Sequence, residues 1–336
     1  MLKLGIIGTN WITQQFIDAA HESGDWQLTT VYSRDLDRAK AFATKNGATN
    51  TFDNLDDFFK AATFEAVYIA SPNSLHFSQA QQAIENGKHV IVEKPAVANQ
   101  AEFEQLDECL KAHPQVLLFE AARQIHEENF KRVQAQIAKL DQLQGATLTY
   151  MKYSSRYDAV LAGEEPNIFS PKFAGGALQD LGVYLVYDAV GWFGMPDEVA
   201  YYPTLTRTKV DGKGVAVLRY PSFTVTLNVG KTSNSYLSSE INGLRDTIVM
   251  DNAAELGRVT YYDAEGLAIN LGVTPDKNPM IAEARDFAAV INDPMAHQED
   301  YQAWRQLSRN VNKLLFNLRQ SGQLYFKATE RDTPAN

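Results

Sequence analysis

The sequence predicts an α/β protein of two domains: a doubly wound parallel sheet, then an α+β domain with an open, mostly antiparallel sheet. Three observations predict it. Strand-like and helix-like segments alternate through the first third of the chain, which indicates βαβ units. The glycine-containing stretch GIIGTNWIT lies where the first strand meets the first helix. From GVAVLRY (residues 214–220) on, strands follow one another with only short turns between several of them, which indicates antiparallel pairing.

In order, LKLGII reads as a strand and the stretch from about Trp11 to His21 as a helix. WQLTTVY is a strand, and DLDRAKAFATKNG a helix that Gly47 closes. FEAVYIA is a strand, SLHFSQAQQAIENG a helix ended by Gly87, and KHVIVE a strand. AEFEQLDECLKAH is a helix and VLLFEA the last strand of this series. The unbroken apolar character of VYIA and VIV suits strands covered on both faces. The first domain is expected over 1–120 and the second over 121–325, with a disordered tail at 326–336.

The second domain opens with a helix from about Glu127 to Leu140 and the strand GATLTYMKYSS. GGALQDLGVYLVYDAVGWFG carries a helix. GVAVLRY, FTVTLNVG, SYLSSEING, DTIVMDN, RVTYYD and LAINLG are strands, and two helices close the domain near 279–292 and 298–319. In FTVTLNV one face carries Phe223, Val225, Leu227 and Val229, and the other Thr224, Thr226 and Asn228. The first face must pack on helices. The second is only half polar, so a partner subunit is expected to cover it, giving a homodimer or higher homo-oligomer.

Composition narrows the function classes. With 336 residues, 45% hydrophobic and 21% charged, the chain has an ordinary globular composition and room for two cores. A formal net charge of −10 without any Lys/Arg block argues against non-specific nucleic-acid binding. The single cysteine, Cys109, excludes an intramolecular disulfide and a cysteine-rich metal site. No apolar stretch approaches the roughly 18 residues of a membrane span. A cytoplasmic protein without membrane partners or metal is expected.

The turn after the first strand is where a Rossmann-type fold binds pyrophosphate on a helix N-terminus. The fingerprint G-x-G-x-x-G starts at Gly8, but Asn10 and Thr13 stand at its second and third glycine positions. Asn tolerates positive φ, which keeps a tight turn open to it. Gly8, Thr9, Asn10, Trp11 and Ile12 are therefore the first cofactor candidates; the alternative is an ordinary β-to-α corner at Gly8.

At the second strand's tip, NAD enzymes usually carry an acid for the ribose hydroxyl. Here Tyr32, Ser33 and Arg34 stand there. A hydroxyl and a guanidinium suit a 2′-phosphate, which favours NADP over NAD. The alternative is a solvated Arg34 followed by Asp35 as a helix cap. SPNSLH, at the end of a further strand, offers Ser71, Pro72, Asn73 and His76 either to the cofactor or to plain turn chemistry. HVIVEKPAV then poses a question, because two charges, Glu93 and Lys94, directly follow a buried-strand pattern.

The order GIIGTNWI, YSRD, SPNSLH, VEKPAV, GGALQDLGVY resembles the Gfo/Idh/MocA oxidoreductases over nearly the whole chain. Within that family it is closest to the dimeric dihydrodiol dehydrogenase and glucose–fructose oxidoreductase branch. Asn10 and Thr13 depart from the family's glycine loop. The resemblance implies an NAD(P)-dependent oxidoreductase that moves a hydride between nicotinamide and a hydroxyl or carbonyl of a sugar, polyol or dihydrodiol. It implies that Lys94 lies beside the nicotinamide and the reacting oxygen, that Glu93 and Pro95 shape its turn, and that Asp180 and Tyr184 form the substrate-side polar pair.

The residue types suit that chemistry. Lys94 can donate to the reacting oxygen and stabilise charge on it, and Tyr184 can exchange the proton, helped by a nearby ammonium. Asp180 and Tyr184, four apart on an expected helix, share one face, and Asp188 continues the stripe. Gly175 and Gly176 are expected to let backbone approach a ligand. On spacing alone, Asp180 reads as a helix-start acid and Tyr184 as a core aromatic. His126 and Arg156 read as structural or solvent-facing, and residues 157–174 as a cleft loop. The alternative function is a non-catalytic NADP or sugar sensor of the same fold. The presence of both Lys94 and Tyr184 speaks for an enzyme.

Overall fold

The computed structural model describes residues 1–326. The expectation for the tail therefore falls almost wholly outside the described residues. Contacts divide the chain into two compact units. The first holds Met1–Arg123 and Asp276–Ser308, the second Gln124–Pro275 and the described residues from Arg309 on.

The first unit is the expected doubly wound domain. Its strands are β1 (Leu2–Ile7), β2 (Trp26–Tyr32), β3 (Asn50–Phe52), β4 (Ala66–Ile69), β5 (His89–Glu93) and β6 (Leu118–Ala121). They form one parallel sheet in the order β3-β2-β1-β4-β5-β6. Between them run α1 (Trp11–Ser23), α2 (Leu36–Asn46), α3 (Leu55–Lys60), α4 (His76–Glu85) and α5 (Gln100–Ala112). Gly47 ends α2 in the left-handed conformation that its sequence position suggests. A core lies on each face of the sheet, one around Phe16, Trp26 and Ile91, the other around Phe58, Val67 and Val92. With helices on both sides, the strands need the unbroken apolar runs seen in the sequence.

In the second unit, α6 (Glu128–Ile137) precedes β7 (Gly145–Met151), and α7 (Tyr157–Leu161) opens a long loop. A π turn (Leu178–Gly182) runs directly into α8 (Val183–Phe193). There follow β8 (Glu198–Leu205), β9 (Asp211–Arg219), β10 (Thr224–Gly230), β11 (Ser239–Asn242), β12 (Thr247–Met250), β13 (Val259–Tyr262) and β14 (Ala268–Asn270). These and β7 make an eight-stranded sheet in which only β7 and β10 pair in parallel. The alternation in β10 is as expected: Val225, Leu227 and Val229 are buried, and Thr224, Thr226 and Asn228 face the other way, partly exposed.

Two closing helices follow, α9 (Ile281–Asn292) and α10 (Gln298–Ser321). The sequence expectation of an uninterrupted second domain over 121–325 differs from the observed division, because 276–308 belongs with the first unit. The reason is packing. Met280, Ile281, Ala284 and Phe287 join the core that holds Phe16 and Trp26, and the Trp26 indole N–H donates to the Ala284 carbonyl at 2.8 Å. The division falls inside α10, between Ser308 and Arg309.

Candidate active site

In a parallel sheet the turns after successive strands emerge at one edge. After β1, Gly8 adopts φ +103°, and a Cβ there would lie 2.7 Å from the Ala70 carbonyl oxygen at the end of β4. Only glycine suits this corner. Asn10 is extended, with φ −91°, so it does not supply the positive φ that the sequence reading allowed it. Instead it is the N-cap of α1. Its Oδ1 accepts from the backbone N–H groups of Ile12 at 3.0 Å and Thr13 at 3.1 Å, and its Nδ2 donates to Ala70 O at 3.0 Å. Thr13, fully buried, fills the fingerprint's third position under the helix. Thr9 and Ile12 are partly covered, and the Trp11 ring stands out, 75% exposed.

After β2, Ser33 Oγ accepts from the Asp35 N–H, and Asp35 caps α2. Arg34 is exposed and has no ion-pair or hydrogen-bond partner among the described residues. After β4, Ser71 Oγ donates to Gln79 Oε1 at 2.7 Å, and Pro72 leads into a short turn of 3₁₀ helix at Asn73–Leu75. His76 begins α4 with its ring inside the protein. Its Nδ1 lies 2.9 Å from Pro95 O and its Nε2 2.9 Å from Ser71 O. Burial holds its pKa below the usual histidine value. His76 thus bridges the SPNSLH turn and the EKP turn, with both ring nitrogens facing backbone carbonyls rather than turned to a ligand.

After β5, Glu93 is buried. Its Oε1 accepts from the Tyr68 hydroxyl at 2.5 Å, and its Oε2 from the Lys94 N–H at 3.3 Å. Burial raises the Glu93 pKa; the Lys94 charge and the Tyr68 hydroxyl oppose it. Tyr68 is held in place by stacking on Phe16, ring centroids 4.0 Å apart. The Lys94–Pro95 peptide is cis. Next in line, Ala96 N–H donates to Glu120 Oε1 at 3.0 Å, and Ser308 donates to the other oxygen of Glu120. Lys94 itself is half-buried. The structure thus gathers Gly8, Asn10, Ser71, His76, Glu93 and Lys94 along one sheet edge.

In the second unit, Asp180 lies in the π turn and Tyr184 in the first turn of α8. The Tyr184 ring meets Tyr150 of β7 edge-on at 5.7 Å, and its carbonyl accepts from Gln124 Nε2 at 3.2 Å. Asp188, one turn on, is completely buried. His126 is buried too, and Arg156 is exposed, as expected. The expectation for Gly175 and Gly176 is corrected. A Cβ on Gly175 would meet Asn167 O and Ile168 O at 2.8 Å, and one on Gly176 would meet Asp211 Oδ1 at 2.1 Å. The space beside these glycines is filled by the chain itself, not left for a ligand.

Sequence reasoning missed Tyr68, Glu120, Asp211 and Lys231. Tyr68 and Glu120 sit inside apolar strand patterns, VYIA and LLFEA, where a lone polar residue is easily read as core. Lys231 follows the strand TVTLNVG and reads as its solvated end, yet its side chain is fully buried.

The comparisons agree with this architecture. Residues 2–121 match the family model GFO_IDH_MocA, the oxidoreductase family with an NAD-binding Rossmann fold. The uncharacterized oxidoreductase YgjR of Escherichia coli (strain K12) is 38% identical over 328 residues, 98% of each chain. The scyllo-inositol 2-dehydrogenase (NADP(+)) IolU of Bacillus subtilis (strain 168) is 38% identical over 308 residues, 92% of this chain and 94% of the relative. Among solved structures, KijD10, a 3-ketoreductase from Actinomadura kijaniata in complex with NADP and TDP-benzene, matches with a TM-score of 0.83 at 21% identity. It covers 95% of this chain and 97% of its own. The chain belongs to the Gfo/Idh/MocA family of oxidoreductases and is an oxidoreductase with an NAD-binding Rossmann fold. Among the described residues no helix is long and apolar enough to cross a membrane.

Proposed function

We propose that this oxidoreductase uses NADP in preference to NAD and interconverts a hydroxyl and a carbonyl on a sugar- or polyol-like small molecule. The observation that carries the reading is the β2 tip. A guanidinium with no partner among the described residues and a neighbouring hydroxyl stand where an NAD enzyme carries a carboxylate. The polyol class is supported by the inositol dehydrogenase relative, whose own name specifies NADP(+). The β1 turn fits a dinucleotide: its glycine corner is too tight for a Cβ, and the capped N-terminus of α1 suits an anion. Thr9, Trp11 and Ile12 complete this turn, and Ser71, Pro72 and Asn73 adjoin it along the sheet edge.

When bound, the nicotinamide accepts or supplies the hydride. The chain's residues do the rest. Lys94 donates to the substrate oxygen and stabilises the negative charge that develops there. Glu93 lies beside it and offsets its charge. Tyr184 exchanges the hydroxyl proton, and Asp180 binds substrate hydroxyls.

The test is nicotinamide absorbance over a panel of inositols, other polyols, sugars and dihydrodiols, with both cofactors. Lys94→Met and Tyr184→Phe are each expected to lower turnover by roughly 10²–10⁴-fold while NADP affinity, read by fluorescence titration, stays near that of the parent. Near-normal turnover in Lys94→Met would make the lysine a solvated strand end. No turnover with any member of the panel, together with tight NADP binding, would favour the sensor reading.

We also propose that the chain forms a homo-oligomer through the outward face of the eight-stranded sheet. Tyr202, Val215, Thr226 and Tyr262 lie on that face, and Tyr202 is 67% exposed.

A further inference from the structure

Lys231 is a lysine with no exposed surface, and burying an ammonium is unfavourable unless its donors are taken up. Here they are. Nζ donates to Asp180 Oδ2 at 2.6 Å and to Ile168 O at 3.0 Å, and it stands 4.4 Å from the centre of the Phe169 ring. Its backbone is equally fixed: Lys231 N–H donates to Gly212 O, and Lys231 O accepts from Ser154 N–H. One cation therefore joins three pieces of chain. They are the strand end after β10, the 167–169 turn of the long loop, and the π turn that carries Asp180.

The surroundings make the arrangement stiff. Ile168 O also accepts from Gly176 N–H, and the absence of a Cβ at Gly175 lets the two backbones touch. Asp211 Oδ2 accepts from Leu178 N–H and from the Tyr201 hydroxyl, each at 2.7 Å, and so holds the first residue of the π turn. A π turn is energetically poorer than an α turn and tends to persist where surrounding contacts demand it. The contacts that demand it here are Lys231 and Asp211.

We propose that Lys231 is the positioning residue for Asp180: it fixes the orientation and balances the charge of that carboxylate, and through Ile168 it sets the loop beside it. This rests on the reading that Asp180 works on the substrate side. The Asp180 side chain is 31% exposed, so one part of it reaches solvent while Oδ2 is committed to Lys231. Lys231, with no exposed surface, acts only through Asp180 and the loop.

The experiment is a double-mutant cycle of Lys231→Met and Asp180→Asn, with scyllo-inositol and NADP as the probe pair, beside hydrogen exchange of the 166–182 segment. Lys231→Met is expected to lower kcat by roughly 10²-fold, the loss typical of a misplaced reacting group, with the KM for NADP unchanged. In the Asp180→Asn background the same substitution is expected to cost less than about threefold, because coupled residues are non-additive. The double variant also leaves no unpaired buried charge, so it folds even if Lys231→Met alone does not. Exchange in 166–182 is expected to quicken in Lys231→Met and not in the 128–137 helix. Equal losses in both backgrounds, or unchanged exchange whatever the turnover, overturn the inference. Full turnover in Asp180→Asn instead overturns the reading of Asp180 itself, and the inference with it.

Discussion

Replacing Asp188 by Asn should stabilise the protein, and by more as pH rises. Asp188 on α8 is completely buried, and neither carboxyl oxygen has a hydrogen-bond partner among the described residues. Burial, and after it the charge of Glu127, pushes its pKa well above the ordinary carboxylate range. An unfolded chain releases this proton near pH 3.9, whereas the folded protein keeps it. Between those two points the unfolded state binds fewer protons, so stability is greatest below the unfolded pKa and is lost as pH rises towards the folded one. For one proton the slope approaches about 1.4 kcal/mol per pH unit. Asn has nearly the same shape and no proton to lose. Its amide is also buried without partners, at a cost of about 1–3 kcal/mol, but a protonated Asp bears a similar cost. The variant and the parent should therefore be close near pH 4 and diverge above it in the variant's favour. Urea denaturation followed by circular dichroism at half-unit steps from pH 4 to 8 reads the difference directly. A difference that stays constant with pH would show that Asp188 titrates normally. A variant that grows less stable as pH rises would show that the carboxylate is ionised and paired.

His76→Phe removes the ring nitrogens that face Ser71 O and Pro95 O and is expected to destabilise the first unit by about 1–3 kcal/mol in denaturant titration; an unchanged midpoint would refute the tie. Arg34→Ala is expected to weaken NADP binding by roughly 10–100-fold, the worth of a charge-assisted phosphate contact, and to leave NAD binding nearly unchanged; equal weakening would make Arg34 a surface charge only. Light scattering at micromolar concentration is expected to give a species of at least twice 37.5 kDa, and a monomer alone would remove the proposed role of the outward sheet face.

The alternation of strands and helices was legible because long amphipathic helices and doubly covered strands leave strong periodic patterns. Short elements were not. β3 has only three residues, and α3 only six, although Asn54 caps it by accepting from Asp57 N–H. β8 contains Pro203, which argues against a central strand, and it lies at the sheet's edge, where proline is tolerated. The return of 276–308 to the first unit is a tertiary fact. Nothing in the spacing of α9 says which of two cores its apolar stripe will join. At the candidate site the turn motifs were legible and their supports were not. Asn10 was readable as a turn residue but its capping bonds were not, and Lys231 carried no signal because a buried ion pair needs two distant segments to meet.

The charges that end β5 make physical sense once their supports are counted. A strand end that merely reached water would leave Glu93 exposed, but Glu93 is buried and its oxygens accept from Tyr68 and from the Lys94 N–H. The Pro95 carbonyl faces His76, and the Ala96 N–H donates to Glu120. Three backbone groups of this turn are thus met by side chains from β5, α4 and β6, and Tyr68 of β4 in turn holds the Glu93 carboxylate. Burial works against the charge on Glu93, and the Lys94 ammonium is the first influence that opposes it. The Lys94 charge thus favours the ionised form of Glu93 against the burial that raises its pKa. Such rigidity does little for a solvated lysine. It is what a lysine needs if it must meet a reacting oxygen within about half an ångström, where small misplacement is costly in rate. The investment of Tyr68, His76 and Glu120 in one turn is the strongest structural support for the role proposed for Lys94.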